Sequence, residues 1–469
     1  GGGETRSGKE FVGCKAINPL HGRTSQVVTA PYVSMEEGTG IVHIAPGHGL
    51  EDFEVGLKWN LEVHSPVDES GRFDQSVGRT ELIGKHVLKD ANKAVLEVLG
   101  PDLIHHQSFK HSYPHCWRCK NPILFRATEQ WFLRVDEKLR NKLLSEIDVV
   151  KWEPSYGIHR IKGMVQGRPD WCLSRQRHWG APIAVLFCKK CQEPLSHPDF
   201  DKKVVDLIRT EGTNAWYAKS EKEILAGSSL SCSHCQGTEF EKEMDILDVW
   251  FDSGVSWHAV IEQHLFNPKP LSVMYLEGSD QHRGWFQTSL IPSVSLRNKA
   301  PYDVVMTHGF VVDGKGRKMS KSMGNVMLPQ EIIHKYGADI LRLWVAMSDY
   351  SEDVRLSQDI LKHVIDIYRR SRNIFRFLLQ NTSDFKKDEH IIPLEQLGEM
   401  DRWILVHFEE LKSRVVEAYE KYQFHLVLSE LNRFMAVSLS GFYLDALKDW
   451  LYCEAPDSPK RRSAQTAFF

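Results

Sequence analysis

The stretch Thr307–Asn325, THGFVVDGKGRKMSKSMGN, decides how the rest of the chain is read. It sets Lys315, Arg317, Lys318 and Lys321 among Gly314, Gly316 and Gly324, so its cations ride on a segment with few side chains to stiffen it. That build suits a mobile phosphate clamp. Cations closing over a polyphosphate neutralise the charge that develops on a leaving pyrophosphate, which is electrostatic rather than covalent catalysis. A Walker A loop is excluded, because no Gly-Lys-Ser/Thr follows a glycine at the required spacing. Taken by charge alone, the commoner reading of such a run is a solvated basic loop.

Composition sets the outer limits. At 469 residues the chain exceeds what one core holds, and about three domains are expected. Lys+Arg total 59 against 62 for Asp+Glu, a balance that argues against a dedicated polyanion coat-binder and leaves room for a local basic face on RNA. No apolar run approaches bilayer length, so no membrane partner is expected. The opening Gly1-Gly2-Gly3-Glu4 lacks a methionine and any signal or transit pattern, and the chain reads as an excerpt. Six of the nine cysteines fall in three Cys-x-x-Cys pairs, 116/119, 188/191 and 232/235, a spacing that suits metal better than disulfides and fits a reducing compartment.

The string Lys318-Met319-Ser320-Lys321-Ser322 resembles the signature loop of the class I aminoacyl-tRNA synthetases. The resemblance implies an α/β chain: a partial Rossmann-like nucleotide fold, a β-rich editing domain before it, a zinc-knuckle insertion and a C-terminal helical bundle. In order, residues 1–112 would be the end of the editing domain and 113–150 a connecting segment. Residues 151–357 would be the second half of the catalytic domain, with a zinc insertion at about 186–242, and 358–469 a truncated anticodon-binding domain.

Within the first part, Gln26 to Ala30 and Ile41 to Ala45 read as buried strands. The segment Gly38 to Phe53 gathers His43, His48, Glu51 and Asp52, which by spacing is as readily a satisfied turn as a site. The segment Gly38 to Phe53 resembles the editing domain of the isoleucyl, valyl and leucyl enzymes. On that likeness Asp52 would hold the amino group of a mischarged amino acid, and His43 the aminoacyl-adenosine end. A helix from Asp90 to Leu99 and then a strand are expected to close the domain. Cys116 and Cys119 supply two thiolates where structural zinc wants four ligands. His111 or His115 could complete the set, a pair upstream could, as the resemblance implies, or the two are reduced cysteines in a tight turn.

Arg168 to Pro182, RPDWCLSRQRHWGAP, reads either as a stacked surface patch or, by resemblance, as the return into the catalytic fold. Ile183 to Phe187 should be a buried strand ending at Cys188, and Cys188, Cys191, Cys232 and Cys235 can form a closed tetrahedral zinc site with a structural role. Leu271 to Leu276 reads as a buried strand, with the polar cluster Glu277, Gly278, Ser279, Asp280, Gln281 and His282 at its carboxyl end, where open α/β sheets bind ligands. The resemblance puts Glu277, Gly278, Asp280, Gln281, His282, Trp285, His308, Gly309, Lys318, Met319, Ser320 and Lys321 around ATP and the aminoacyl-adenylate, with Lys318 and Lys321 catalytic. After Pro329 the period turns helical. Leu361, Val364, Ile365, Tyr368, Ser371, Phe375 and Leu378 share one face, Arg369, Arg370, Arg372 and Arg376 are interleaved, and further helices run from about Arg402 to Tyr422 and Phe424 to Trp450. A basic helix face is usually solvated; the resemblance implies tRNA backbone contact.

Among the related specificities, the loop followed by Gly337 to Ser357, GADILRLWVAMSDYSEDVRLS, resembles the isoleucyl branch, and RPDWCLSRQRHWG its bacterial and organellar type. The implied reaction joins isoleucine to tRNA(Ile) at the expense of ATP with Mg2+, edits mischarged valine and uses Zn2+ structurally. A monomer in the mitochondrial matrix is expected, with a bacterial cytoplasm as the alternative. The family's His-x-Gly-His motif is not among these residues, so the chain alone is expected to be impaired. The competing readings are a noncatalytic RNA- and zinc-binding derivative and a valyl enzyme.

Overall fold

The computed structural model describes residues 6–34, 39–108, 110–263 and 272–469. Gly38 and Leu271, the first residues of two expected segments, lie outside these. The chain divides into two compact units, Gly1–Gln130 and Trp131–Phe469.

The first unit departs from the β-rich expectation. Among its described residues the β pairing is one short antiparallel ladder, Lys15–Ile17 with Thr24–Gln26, both strands exposed, and the isolated bridges Val67–Phe73, Arg72–His86 and His115–Pro122. Ile41 to Ala45 forms no strand, and Ile41 is 81% exposed. An apolar run becomes a strand only when a neighbouring edge takes up its N–H and C=O groups, and no such edge lies beside it among the described residues. The helix Leu50–Trp59 ends at Asn60 in the left-handed conformation. The expected second helix is present as Ala91–Leu99, but Asp90 does not cap it; its carboxylate turns back to the His86 amide at 2.8 Å. Residues 103–108 carry no closing strand.

The second unit is built on a parallel sheet with Val304–His308 in the centre, flanked by Met274–Gly278 and Lys151–Glu153. Val304 through Thr307 are buried, whereas Met274–Gly278, paired on one side only among the described residues, buries just Tyr275 and Gly278. Three helices, Glu137–Val149, Gly157–Gln166 and Trp285–Arg297, supply the core over this sheet with Leu143, Ile147, Ile161, Val165, Phe286, Leu290, Ile291 and Val294. Each such fully buried apolar side chain contributes about 1.5–3 kcal/mol. Phe286 through Val294 are buried on every face of their helix, so its polar members need partners: Gln287 accepts from Arg168, and Ser293 donates to the Lys299 carbonyl.

The expected Ile183–Phe187 strand appears as Leu186–Cys188, antiparallel to Phe240–Lys242. It packs with Phe200, Trp216 and Ile224 into a separate small core. A parallel pair, Val311–Asp313 with Val354–Leu356, then leads into the bundle. The helix Gln358–Asn381, capped by the Ser357 side chain on Ile360 N–H, buries Leu361, Val364, Ile367 and Ile374. The expected face is rotated at its far end: Phe375 is 59% exposed, since it stands about 100° around from Ile374. After the short helix Lys387–His390 the next long helix is Glu399–Glu420. The long helix expected after Phe424 is instead Phe424–Arg433, a π-helical run Phe434–Tyr443 and two short turns. Buried Asp401 accepts from Tyr443 and Ser463 and ties these elements to Pro459–Phe468.

Candidate active site

Parallel pairing puts the carboxyl ends of all three sheet strands at one edge, and register places Glu277 beside Thr307 and Gly278 beside His308. At that edge Glu277 and Asp280 are exposed, and Glu277 accepts from the Gly278 amide at 3.0 Å. A side chain on Gly278 would meet Asp280 Oδ1 at 2.8 Å and the rings of His308 and Phe310 at 3.7 Å, so bare backbone is needed here. Gln281 acts as a helix cap, its Oε1 accepting from Trp285 N–H at 2.8 Å. Trp285 stacks on Tyr275 with centroids 3.9 Å apart and donates to the Ser253 carbonyl at 3.0 Å. Trp250 lies with Gln281 against Gly284, where an added Cβ would meet both, and the residue is 42% exposed.

His282 is closed off from solvent at this edge. It is fully buried between Trp152 and Phe286, its Nδ1 is 3.0 Å from the Ser279 carbonyl, and burial lowers its pKa. With Nδ1–H donating, the neutral ring presents Nε2 toward Gly157 at the start of the helix Gly157–Gln166. It braces the strand-end loop from below.

The turn at His308–Gly309 is pinned by the Asp349–Arg355 run. Gly309 N–H donates to Tyr350 O at 2.9 Å, Phe310 N–H to Asp353 Oδ1 at 2.8 Å, and Val354 N–H to Phe310 O at 2.8 Å. An added Cβ on Gly309 would stand 2.2 Å from the Glu352 carbonyl.

Beyond it the basic loop is more restrained than its glycines imply. Val312 bridges to Lys318, and Gly316 turns the chain at φ +78°. Asp313 accepts from Lys315 N–H and Arg317 N–H at 2.9 Å each, from Arg317 Nε at 2.9 Å and from Asn325 Nδ2 at 3.1 Å. The Arg317 amide and the Asn325 side chain chiefly hold its carboxyl well below the usual carboxylate range. Asn325 in turn accepts from Ser320 N–H at 2.9 Å and donates to Lys318 O at 3.2 Å. Met319 is half-buried against the cluster of Ile332, Ile340, Trp344 and Leu356, while Lys318 and Lys321 are exposed. Sequence reading passed over Asp313 and Asn325. Their signals were the Asp-Gly and Gly-Asn turn pairs at the two ends of the loop. It also counted Arg317 with the phosphate cations, whereas its guanidinium is paired to Asp313 at 2.8 Å.

The four sulfurs of Cys188, Cys191, Cys232 and Cys235 lie within 4.8 Å of one another, with Cys188–Cys235 at 3.4 Å and Cys191–Cys232 at 3.5 Å. Burial acts against ionisation of Cys188, yet the N–H groups of Cys191 and Lys190 hold its thiol down at about 7. Each pair is a tight knuckle. The first cysteine's N–H donates to the carbonyl five residues on, its C=O accepts from the residue after the second cysteine, and that residue is left-handed (Gln192 φ 61°, Gln236 φ 61°). Cys116 and Cys119 repeat every one of these features, with Lys120 at φ 62°. Around them, however, no group of three or more ligands forms among the described residues, and His115 Nδ1 lies 2.8 Å from the Tyr113 carbonyl.

In the first unit, Asp52 accepts from Tyr32 OH at 2.6 Å and from Ala45 N–H at 2.8 Å. Burial and that carboxylate push the Tyr32 phenol up to about 12. His43 is exposed and contributes, with Arg23, His64 and Arg79, to the positive field that, after burial, depresses His21. Of the expected surface patch, Trp179 is 96% exposed, but Trp171 is buried and donates to Asp248 at 3.0 Å, which also pairs with Arg175 at 2.7 Å. Arg369, Arg370, Arg372 and Arg376 are all exposed.

Residues 34–357 match the family described as tRNA synthetases class I (I, L, M and V), and residues 401–469 match the anticodon-binding domain of tRNA ligase. The chain belongs to the class I tRNA synthetases. Within that family it is 50% identical over 459 residues to the isoleucine–tRNA ligase of Geobacter sulfurreducens, covering 97% of this chain and 49% of that protein. It is also 50% identical over 467 residues to the isoleucine–tRNA ligase of Carboxydothermus hydrogenoformans, covering 98% and 50%. The chain thus spans about half the length of the curated relatives it matches. Mycobacterium tuberculosis methionyl-tRNA synthetase bound by methionyl-adenylate shares the fold, with a TM-score of 0.50 and 16% identity over 76% of this chain and 60% of that one.

Proposed function

We propose that this chain is part of an isoleucine–tRNA ligase, which activates isoleucine with the magnesium complex of ATP, transfers it to tRNA(Ile) and hydrolyses mischarged valine. The observation that carries the reading is the restrained loop presenting Lys318 and Lys321, in a chain 50% identical to isoleucine–tRNA ligases. In activation, an oxygen of the isoleucine carboxylate bonds to the α-phosphorus as the bridge to the β-phosphate breaks. Pyrophosphate leaves with the electron pair, and Lys318 and Lys321 neutralise the charge it gains. Glu277, Gly278 and Asp280 would line the adenylate at the sheet edge, with Gln281 tying their turn to the helix Trp285–Arg297. Trp285 and the half-exposed Trp250 would wall the amino-acid side.

Apolar walls separate isoleucine from valine by one methylene, worth only about 1–3 kcal/mol; this pair is the standard illustration of that limit. Editing answers it, and Asp52 would pair with the ammonium of the wrong amino acid in the first unit. The four-thiol cluster suits Zn2+, since tetrahedral Zn–S bonds of about 2.3 Å put sulfurs within 4 Å of each other. Cys188, Cys191, Cys232 and Cys235 would hold the ion as a structural staple. The repeated knuckle at Cys116 and Cys119 supports a second site completed by ligands beyond the described residues. Arg369, Arg370, Arg372 and Arg376 would meet tRNA phosphates. A monomer of the mitochondrial matrix completes the reading, to be checked by sedimentation and by cell fractionation.

The test is charging of tRNA(Ile) by a form extended to the length of the relatives. Isoleucine should charge and valine should not accumulate. Preferential valine charging supports the valyl alternative, and tRNA binding without charging supports a noncatalytic derivative.

A further inference from the structure

We propose that Asp313 and Asn325 are positioning residues for adenylate formation, fixing the main chain that carries Lys318 and Lys321, with Arg317 acting as their counter-ion rather than as a phosphate ligand. The inference rests on the reading of this loop as a pyrophosphate clamp and adds what holds the clamp in shape.

Two side chains take up the main chain at four places. Asp313 binds the amides of Lys315 and Arg317, and Asn325 binds the Ser320 amide and the Lys318 carbonyl. A bond between Asn325 Nδ2 and Asp313 Oδ2 joins the two holders. Glycines at 314, 316 and 324 make the segment costly to order, so restraint has to come from side chains. Asp313 is itself anchored, being buried at the end of the strand Val311–Asp313, which is paired to Val354–Leu356. Arg317 has both Nε and Nη2 on Asp313 Oδ2 at 2.9 and 2.8 Å. Its guanidinium is exposed but held on that carboxylate by two nitrogens, so its charge is already matched, whereas the exposed Lys315, Lys318 and Lys321 have no such partner in the loop. Charges set in place before the reaction need no reorganisation as pyrophosphate departs, and that advantage depends on the backbone beneath them.

Amide hydrogen exchange on the intact chain reads the restraint directly. Asp313→Ala should speed exchange at Lys315 and Arg317, and Asn325→Ala at Ser320, each about tenfold or more, while the amides of the central strand Val304–His308 keep their parental protection. In the form extended to the relatives' length, misplacement of the lysines by an ångström lowers kcat for isoleucine-dependent ATP–pyrophosphate exchange by roughly 10²-fold. The KM for ATP should move by less than about threefold, because the loss falls on the transition state. Arg317→Lys should retain most of kcat, as a counter-ion would and a bidentate phosphate ligand would not. Unchanged exchange at those amides, or loosened amides with parental kcat, overturns the proposal. Lys321→Ala separates the two levels. If it leaves kcat intact, the clamp reading falls and takes the proposal with it. If it abolishes kcat while Asp313→Ala does not, only the positioning role falls.

Discussion

Gly309→Ala tests whether the strand end and the Asp349–Arg355 run are packed as described. A Cβ at residue 309 would sit 2.2 Å from the Glu352 oxygen, 2.5 Å from its carbon and 2.7 Å from the Asp353 nitrogen, all backbone atoms that cannot rotate aside. Overpacking of that kind costs about 1–3 kcal/mol. Relief by separation would lengthen the bonds Gly309 N–H to Tyr350 O, Phe310 N–H to Asp353 and Val354 N–H to Phe310 O. Each is worth about 0.5–1.5 kcal/mol, so a total destabilisation of roughly 2–5 kcal/mol is expected. At about 2 °C per kcal/mol for a unit this large, the melting transition of Trp131–Phe469 should fall by roughly 4–10 °C in calorimetry. Gly163→Ala is the matched control. It lies mid-helix in Gly157–Gln166 with nothing within 4 Å of the added carbon, so it should be neutral or stabilise by about 0.5–1 kcal/mol. A Gly309→Ala midpoint within 1 °C of the parent, with the Gly163→Ala control behaving as stated, would refute the packing argument.

Other consequences are directly measurable. Protein purified in zinc-containing medium should carry metal that Cys188→Ser or Cys235→Ser reduces by about one equivalent, with Trp216 fluorescence changing as the small core loosens; full zinc content in both variants would exclude the four-thiol site. Because the Asp313 carboxyl is held below its ordinary value, its ionisation contributes stability above about pH 4, lost as pH falls through the depressed folded value. Protection of the Arg317 amide should therefore persist at pH 4 relative to pH 7, after correction for intrinsic exchange, and loss between pH 6 and 5 would contradict that sign. Asp52→Ala in an extended form should let Val-tRNA accumulate without changing isoleucine activation; undiminished hydrolysis of Val-tRNA removes Asp52 from editing.

The features legible in the sequence were those with a local cause. The Cys-x-x-Cys pairs, the helical period after Pro329 and the polar strand end at Glu277 each announce themselves within a few residues. What escaped depended on partners distant in the chain. Ile41 to Ala45 has a strand's composition and, among the described residues, no edge to pair with, and Phe375 has an apolar side chain on the wrong side of Ile374. His282, beside Asp280 in sequence, is buried at the end of the short turn Ser279–His282 and stacks on Trp152 rather than opening to a ligand. Gln281, taken for a ligand group, spends its oxygen on a helix amide. The loop's glycines advertised freedom, while its restraint sits in Asp313 and Asn325, residues ordinary enough in type to pass unremarked.

The central claim is that the exposed lysines of this restrained loop serve isoleucine activation. In an extended, folded form, isoleucine-dependent ATP–pyrophosphate exchange should be robust and should fall by roughly 10²-fold or more with Lys321→Ala, in line with the loss of one transition-state charge contact. Exchange that is absent, or that Lys321→Ala leaves unchanged, would contradict the account.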